Sequence, residues 1–391
     1  MSKLPRGVQV VITGGGTAGH VEPALAVGRA LVAAGVAAES VLFVGARRGM
    51  EARLVPEAGF ALRLLPGRGL VRKVSFANLA AASGLAAAFA EALAIIVRSR
   101  PGVVVMVGGY AGVACSLAAV LCRVPVVVVN VDSSAGKANR LVGRFAVLSA
   151  VASAESGLSR AVVTGPPVRD EVLAAERSAE GREAARARLG IDAARRVLAV
   201  VGGSLGARRL NDAALELRAA LGSRSDLLLY HVAGARNEPE LRARVAAAPL
   251  PEGGLEYRLV AYEASLPSLF AVADLVLARA GAMTVAELAV IGVPSVLVPL
   301  PGAPGDHQSV NARSLEALGA AVLLPDGEAH GERLVSLVRE LLDDTSRLDA
   351  MGHAAKLAAR PGAATEIAKL VLSVAKPRPE REQPVNWNGA A

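Results

Sequence analysis

The stretch from Val8 to His20, VQVVITGGGTAGH, places a short apolar run directly before three consecutive glycines and a histidine. An apolar run of this length predicts a buried strand. Glycines after a strand let the backbone at the start of a helix approach a phosphate group. The stretch from Val197 to Ala207, VLAVVGGSLGA, repeats the arrangement. Two such strand–turn–helix units predict an α/β protein with two doubly wound, Rossmann-like domains.

Other apolar runs alternate with Ala-, Leu- and Arg-rich segments of helical period, which predicts parallel sheets covered on both faces. The predicted strands are Val8–Thr13, Val41–Val44, Val103–Val107, Val124–Val129, Val197–Val201, Leu227–His231, Leu275–Ala278 and Ser295–Pro299. The charged stretch Glu171–Gly190 predicts an early helix of the second domain. We therefore expect an N-terminal domain (residues 1–165), a C-terminal domain (166–360), a helix returning to the first domain (361–375) and a disordered tail (376–391).

Composition narrows the class of protein. The 391 residues are 53% hydrophobic and 20% charged, which is typical of globular chains. The net charge is +8, but an aromatic content of 3% argues against a nucleic-acid binder that stacks bases. Only six of the 43 basic residues are lysines. An arginine-rich surface favours a phosphate-bearing substrate or an anionic membrane as the partner.

Several features bear on cellular location. Cys115 and Cys122 are expected to be two buried residues on one helix face in a reducing compartment, rather than a redox pair. The N-terminus runs into a strand without a signal-peptide pattern. The apolar segment Leu79–Val97 approaches the length of a bilayer span, but Glu91 inside it favours a helix of a soluble protein. No metal-ligand pattern occurs in the sequence, so neither a metal nor a cofactor is predicted.

The first glycine loop, Gly14–Gly19, fits the fingerprint of dinucleotide-binding proteins. This fit alone leaves open an enzyme that uses a nicotinamide or flavin cofactor. The second strand lacks the acidic residue that binds a ribose, but Arg47 and Arg48 follow it and suit a 2′-phosphate. An NADP-linked oxidoreductase is therefore an alternative. His20 lies in the first turn of the next helix, where the helix dipole disfavours its protonated form. A neutral imidazole there is a candidate general base, or a simple cap.

Two polar clusters follow predicted strands of the second half. Thr284 and Glu287 have the spacing of a capping box, but Glu287 also stands where it could accept hydrogen bonds from sugar hydroxyls. Asp306, His307 and Gln308 follow a Gly/Pro-rich loop, with Asn311 one turn later. Polar loop residues of this kind suit the binding of hydroxyl groups.

Taken in order, six segments resemble the MurG family, UDP-N-acetylglucosamine transferases that convert lipid I to lipid II in peptidoglycan synthesis. The segments are GGGTAGHVEPALAV (Gly14–Val27), GGYAG (Gly108–Gly112), TGPPVR (Thr164–Arg169), GGSLGARRLN (Gly202–Asn211), RAGAMTVAELAVIGVPSVLVPLP (Arg279–Pro301) and DHQSVNA (Asp306–Ala312). The resemblance implies the GT-B architecture, with the donor nucleotide held mainly by the C-terminal domain. It also implies metal-independent inversion at the anomeric carbon and a peripheral location on the cytoplasmic face of the membrane.

The resemblance also implies site residues. His20 would be the catalytic base, and Gln308 would hold hydroxyls of the N-acetylglucosamine. Arg169 and Ser204 would contact the donor diphosphate or nucleotide. The remaining UDP-N-acetylglucosamine contacts would be Thr17, Ala18, Gly19, Ser133, Ala282, Met283, Thr284, Val285, Ala286 and Glu287. The lipid-linked muramyl acceptor and an anionic membrane surface would be the other partners, with no nucleic acid.

The chain departs from the family pattern at several positions. The region Asn130–Ser133 replaces the usual His-Glu-x-Asn, so that Ser133 stands where the family has the Asn expected to touch the donor sugar. Pro166 replaces an Asn and Leu205 a Gln. The Asn130–Ser133 departure keeps open a GT-B transferase acting on another polyprenyl or secondary-metabolite acceptor. A non-catalytic sugar-nucleotide or lipid-binding protein is a further alternative, and the presence of His20, Glu287 and Gln308 together counts against it.

A basic segment suggests how the protein meets a membrane. Arg68, Arg72 and Lys73 precede the apolar helix that contains Phe76 and Leu79. Basic side chains next to an apolar face are typical of binding to anionic lipids. The sequence therefore predicts a membrane contact at this element, although part of the helix would pack inside the N-terminal domain.

Overall fold

The first half of the chain forms one parallel sheet. The structure is a computed structural model that describes residues 7–47, 49–66, 76–203 and 206–377. The strands of this sheet are β1 (Val10–Thr13), β2 (Val41–Ala46), β3 (Ala61–Leu65), β4 (Val103–Met106), β5 (Val126–Asn130), β6 (Leu148–Val151) and β7 (Ala161–Val163). Their spatial order is β3-β2-β1-β4-β5-β6-β7, so the direction of winding reverses between β1 and β4. Ligands of open α/β sheets bind beyond the carboxyl ends of the strands at such a reversal.

The second half forms another parallel sheet with the same plan. Its strands are β8 (Arg196–Val201), β9 (Leu227–Val232), β10 (Glu256–Val260), β11 (Leu275–Ala278), β12 (Ser295–Leu297) and β13 (Ala321–Leu323). Their order is β10-β9-β8-β11-β12-β13, with the reversal between β8 and β11. The two sheets confirm the prediction of two doubly wound domains.

Helices cover both faces of each sheet. Those of the first half are α1 (Ala18–Ala33), α2 (Glu51–Glu57), α3 (Phe76–Ser99), α4 (Gly109–Leu121) and α5 (Lys137–Gly143). The others are α6 (Asp170–Leu173), α7 (Ala179–Leu189), α8 (Arg208–Ala220), α9 (Glu238–Ala246), α10 (Leu266–Val272), α11 (Ala282–Ile291), α12 (His307–Glu316), α13 (Gly331–Asp343), α14 (Thr345–Ala358) and α15 (Ala363–Val374). Helix α15 packs against α1, where Ile367, Ala368 and Val371 enter the N-terminal core. The last helix thus lies on the first domain.

The eight predicted strands are present, β11 with the predicted bounds and the others with shifted ends, and the described residues contain five further strands that were missed. The missed strands are β3, β6, β7, β10 and β13, which are short or carry polar residues on one face, so their apolar runs are weak. The stretch Glu171–Gly190 contains two helices, α6 and α7, instead of one. They are separated at residues 174–178, and Ser178 caps α7 by accepting a hydrogen bond from the Gly181 N–H at 3.1 Å.

The structure tests the predictions about the two cysteines and about a membrane-spanning helix. Cys115 is fully buried on α4, but Cys122 is the C-cap of that helix and only half-buried. The expectation of two buried cysteines on one helix face was therefore right for Cys115 alone. Within the described residues, no helix combines the length and apolar character needed to cross a membrane.

Candidate functional site

The carboxyl ends of the two sheets face each other across a cleft. The loop after β5 meets α12 of the other domain, where the Ser133 hydroxyl donates a hydrogen bond to Asn311 Oδ1 at 2.7 Å. Asn311 in turn donates to the Ala280 carbonyl, just after β11. A cavity of about 570 Å³ lies beside this contact and is lined by both domains. Ser133 was predicted to touch the donor sugar, whereas here its hydroxyl joins the two domains.

The first glycine loop lies at the reversal of the N-terminal sheet. Gly14, Gly15 and Gly16 all have positive φ angles, of 144°, 145° and 101°, which explains the run of glycines. Thr17 ends the loop as the N-cap of α1, and Ala18 and Gly19 begin that helix. The Gly16 N–H donates to Glu51 Oε2 at 2.9 Å. The sequence predicted a phosphate for this loop, but an internal carboxylate accepts the Gly16 hydrogen bond.

His20 lies in the first turn of α1, as predicted. Its ring packs against Gly108, where an added Cβ would lie 2.9 Å from Nε2, and Nδ1 is 3.4 Å from the Thr17 hydroxyl oxygen. Burial lowers the pKa of His20 below its usual value, although the charges of Asp132 and Glu51 act in the opposite direction. Desolvation therefore favours the neutral imidazole, for which the sequence argument had invoked the helix dipole.

A second histidine approaches the same cleft from the C-terminal domain. His307 begins α12, and its Nε2 lies 4.0 Å from Asp132 Oδ1 in the loop after β5. Gln308 follows it, and its side-chain oxygen accepts a hydrogen bond from the Leu300 N–H at 2.9 Å. This contact leaves the Gln308 amide N–H groups as donors. A donor group at this position suits a sugar hydroxyl.

Glu287 lies on the cleft side of α11 and forms an ion pair with Arg169. Arg169 Nη2 is 3.3 Å from Glu287 Oε1, and both side chains are largely buried, with 19% and 8% of their surface exposed. Burial raises the pKa of Glu287, and Arg169 partly offsets the rise. The capping-box interpretation was wrong, because Gly281 is the N-cap of α11 and Thr284 lies inside the helix.

The surroundings of Arg169 suit an anionic group with hydroxyls. Arg169 Nε is buried without a hydrogen-bond partner among the described residues. Glu22 of α1 is near enough for the Arg169 charge to lower its pKa, against a larger rise caused by burial. Residues Ala282, Met283, Thr284, Val285 and Ala286 form the first turn and a half of α11 beside this group. A helix N-terminus next to an arginine favours the binding of phosphate.

The second glycine loop is described only in part, because Ser204 and Leu205 lie outside the described residues. Behind it, His231 is fully buried between Tyr257 and Asn211, with Nδ1 2.7 Å from the Tyr257 hydroxyl and Nε2 3.0 Å from Asn211 Oδ1. Burial lowers the pKa of His231 to about 4. A His231 that is neutral near neutral pH therefore ties α8 to β9 beneath the loop.

The sequence patterns singled out His20, Glu287, Arg169 and Gln308 as candidates, and the structure places all four at the cleft, but the patterns did not single out Glu51. The acidic residue of a dinucleotide site is expected at the end of β2, and Glu51 is five residues further on. Gly45 and Gly49 precede Glu51 in the sequence. These two glycines were the only pattern that could have indicated a carboxylate packed closely against the backbone.

Comparisons with known proteins agree with this architecture. Residues 10–150 match the N-terminal domain of glycosyltransferase family 28, and residues 197–367 match its C-terminal domain. A relative from Mycobacterium sp. (strain JLS) is 40% identical over 371 residues, covering 94% of this chain and 96% of the relative. One from Moorella thermoacetica is 39% identical, covering 93% of this chain and 98% of the relative. Both are named UDP-N-acetylglucosamine--N-acetylmuramyl-(pentapeptide) pyrophosphoryl-undecaprenol N-acetylglucosamine transferase.

A solved structure extends the likeness to three dimensions. The crystal structure of MurG from Acinetobacter baumannii is 28% identical and superposes with a TM-score of 0.72, covering 94% of this chain and 99% of that one. The two parallel sheets of the present structure have the GT-B architecture of two Rossmann-like domains facing a cleft. Because both domains match and identity to its relatives reaches 40% across nearly their whole length, the chain belongs to the MurG family of glycosyltransferases.

Proposed function

We propose that this protein transfers N-acetylglucosamine from UDP-N-acetylglucosamine to the muramoyl 4-hydroxyl of lipid I, giving lipid II and UDP. The names of its relatives support this donor and a lipid-linked muramyl acceptor. The observation that carries the proposal is the arrangement of the cleft. A half-buried imidazole stands on one wall, and a largely buried Arg169–Glu287 pair stands beside the first two turns of α11 on the other.

His20 acts as the general base. The acceptor oxygen attacks the anomeric carbon from the face opposite UDP, its proton passes to the His20 imidazole, and the bond to the UDP oxygen breaks. Attack from that face inverts the anomeric configuration. His20 can accept the proton near neutral pH because burial keeps its pKa below the usual histidine value.

The C-terminal domain holds the donor. Glu287 accepts hydrogen bonds from ribose hydroxyls, and Arg169 neutralises part of the diphosphate charge, with Ser204 as a further contact. The N–H groups in the first turn of α11 add a positive end of a helix dipole near the leaving group. Gln308 donates to sugar hydroxyls through its amide nitrogen, whose orientation follows from the Leu300 contact.

A binding experiment separates this function from an NADP-linked oxidoreductase. The Glu51 carboxylate accepts the Gly16 N–H, so a nucleotide phosphate placed there would meet a negative charge. We expect calorimetry to detect binding of UDP and UDP-N-acetylglucosamine and no binding of NADPH under the same conditions. Tight NADPH binding without UDP binding would refute the glycosyltransferase function.

The protein works at the cytoplasmic face of the membrane as a peripheral protein. The predicted basic contact at Arg68, Arg72 and Lys73 lies outside the described residues, and so do the side chains of Phe76 and Leu79. The described surface adds a neighbouring patch on α5 and the turn after it. There Leu141, Phe145 and Val147 are 42%, 51% and 43% exposed. The exposed cations Lys137, Arg140 and Arg144 lie among them. Helix α4 packs against both α3 and α5, so this patch lies on the same side of the domain as α3.

Changing Lys137, Arg140 and Arg144 together to Ser should reduce co-sedimentation with anionic liposomes. Each basic residue near such a surface contributes about 1 kcal/mol. A control variant with Arg333, Arg339 and Arg347 of the C-terminal domain changed to Ser removes the same charge from exposed helices elsewhere. Equal losses in the two variants would indicate a general charge effect and place the membrane contact elsewhere.

A further inference from the structure

Glu51 is a buried carboxylate that joins two loops of the N-terminal domain. It is the first residue of α2 and only 2% exposed. Its Oε2 accepts the Gly16 N–H of the first glycine loop at 2.9 Å, and its Oε1 accepts the Ala46 N–H at the end of β2 at 2.6 Å. A carboxylate that accepts two backbone hydrogen bonds in a buried setting holds both segments strongly.

Glycines surround this carboxylate on several sides. A Cβ added at Gly15, Gly45 or Gly49 would overlap the Glu51 side chain. The glycine loop on one side and the turn after β2 on the other therefore fit around the carboxylate at close range. The Gly15 carbonyl in turn packs against Gly109, which leaves the loop little room to move in the opposite direction.

The loop that Glu51 holds leads directly into the proposed base. Thr17 follows Gly16, its carbonyl accepts the His20 N–H at 3.1 Å, and its hydroxyl lies near the His20 ring. The negative charge of Glu51 also acts on His20 through the fold. Glu51 thus influences both the place of the imidazole and its electrostatic surroundings, without touching the cleft side of the ring.

We propose that Glu51 is a positioning residue for the transfer reaction, which fixes the first glycine loop and through it the place of the His20 imidazole. The inference depends on the proposed function, because it assigns Glu51 a role in the His20 step. It also assigns the loop a different task from phosphate binding. The loop is built around an internal carboxylate, and Gly15 is needed for that packing.

The test compares three variants with the wild type in the transfer assay. Glu51→Gln keeps the shape but removes the charge, and its NH2 group faces one of the two N–H donors. Glu51→Asp keeps the charge but shortens the reach by one methylene. Glu57→Gln changes an exposed carboxylate at the other end of α2, which pairs only weakly with Arg53 at 3.3 Å, and serves as the control.

We expect Glu51→Gln to lower kcat by roughly ten- to a hundredfold, since a misplaced catalytic group can cost about 10²-fold. The KM for UDP-N-acetylglucosamine should stay within twofold, because the donor is held mainly by the other domain. The acid limb of kcat should move to lower pH, because removing a negative charge lowers the pKa of His20. Glu51→Asp should lower kcat without moving the limb, and Glu57→Gln should behave as wild type.

Other outcomes would overturn the inference. Wild-type kcat in Glu51→Gln, or an unmoved acid limb in that variant, would make Glu51 a structural residue only. A loss that appears mainly in the KM for the donor would contradict it as well. If Glu51→Gln fails to fold, as judged by loss of a cooperative thermal unfolding transition, Glu51→Asp decides, because wild-type kcat there would refute the positioning role. A wild-type protein without transferase activity would instead count against the proposed function.

Discussion

Replacing His20 with Ala should lower kcat by about 10²–10⁴-fold, the usual contribution of a general base. UDP binding should stay close to wild type, because Arg169, Ser204 and Glu287, which are proposed to hold the nucleotide and the diphosphate, lie in the C-terminal domain. In the wild type, kcat should fall with decreasing pH as the imidazole becomes protonated. Since burial lowers the pKa of His20, this limb should lie below the ordinary histidine value of 6.5. The limb should disappear in the variant.

Two comparisons make the His20 result specific. His353→Ala alters an exposed histidine on α14 and should leave kcat unchanged. Glu22→Gln tests the nearest alternative base. The charges of Arg169 and Arg29 lower the pKa of Glu22, whereas the charges of Asp132 and Glu51 raise that of His20. The two side chains therefore face different charged groups. If His20→Ala keeps most of its turnover while Glu22→Gln loses it, Glu22 is the base.

Replacing Glu287 with Gln should weaken donor binding by about 1.5–3 kcal/mol, the range for a hydrogen bond to a charged group. The carboxylate is 8% exposed on its side chain and pairs with Arg169, so the amide loses both a strong acceptor and a counter-charge. Calorimetry with UDP measures the affinity, and thermal unfolding of the same variant measures stability.

The effects of Glu287→Gln on UDP binding and on thermal unfolding separate a binding role of Glu287 from a structural one. Loss of a buried ion pair should also lower the melting temperature, since Arg169 is left without its partner. Unchanged UDP affinity in a variant with lowered stability would make the Arg169–Glu287 pair purely structural. Arg169→Lys is a useful companion, because it keeps the charge but loses the planar fork that suits a diphosphate.

The fold was predictable because its strongest signals are local. Buried parallel strands such as β1, β4 and β8 are continuous apolar runs, and the glycines after β1 and β8 mark the points where each sheet reverses. The missed strands β3, β10 and β13 carry half-buried residues, so neighbouring strands and helices, which the sequence does not display, decide their formation.

The site was predictable only where a residue follows a strand directly. His20 and Glu287 belong to helices that begin immediately after β1 and β11, so their place at the cleft follows from the topology. Ser133 and Asn311 are 178 positions apart, and no local pattern joins them. Glu51 was missed for a related reason. Its partners, Gly16 and Ala46, come together only when β1 and β2 pair and α2 folds back over their ends.

The most direct measurement is transfer of labelled sugar by the purified wild-type protein. Incubation with radiolabelled UDP-N-acetylglucosamine and lipid I should move the label into a lipid-extractable disaccharide product and release UDP in equal amount. Omitting lipid I should abolish the transfer. Label that remains on the nucleotide in the presence of lipid I, or that passes equally well to a polyprenyl phosphate without a muramoyl group, would contradict the proposed reaction.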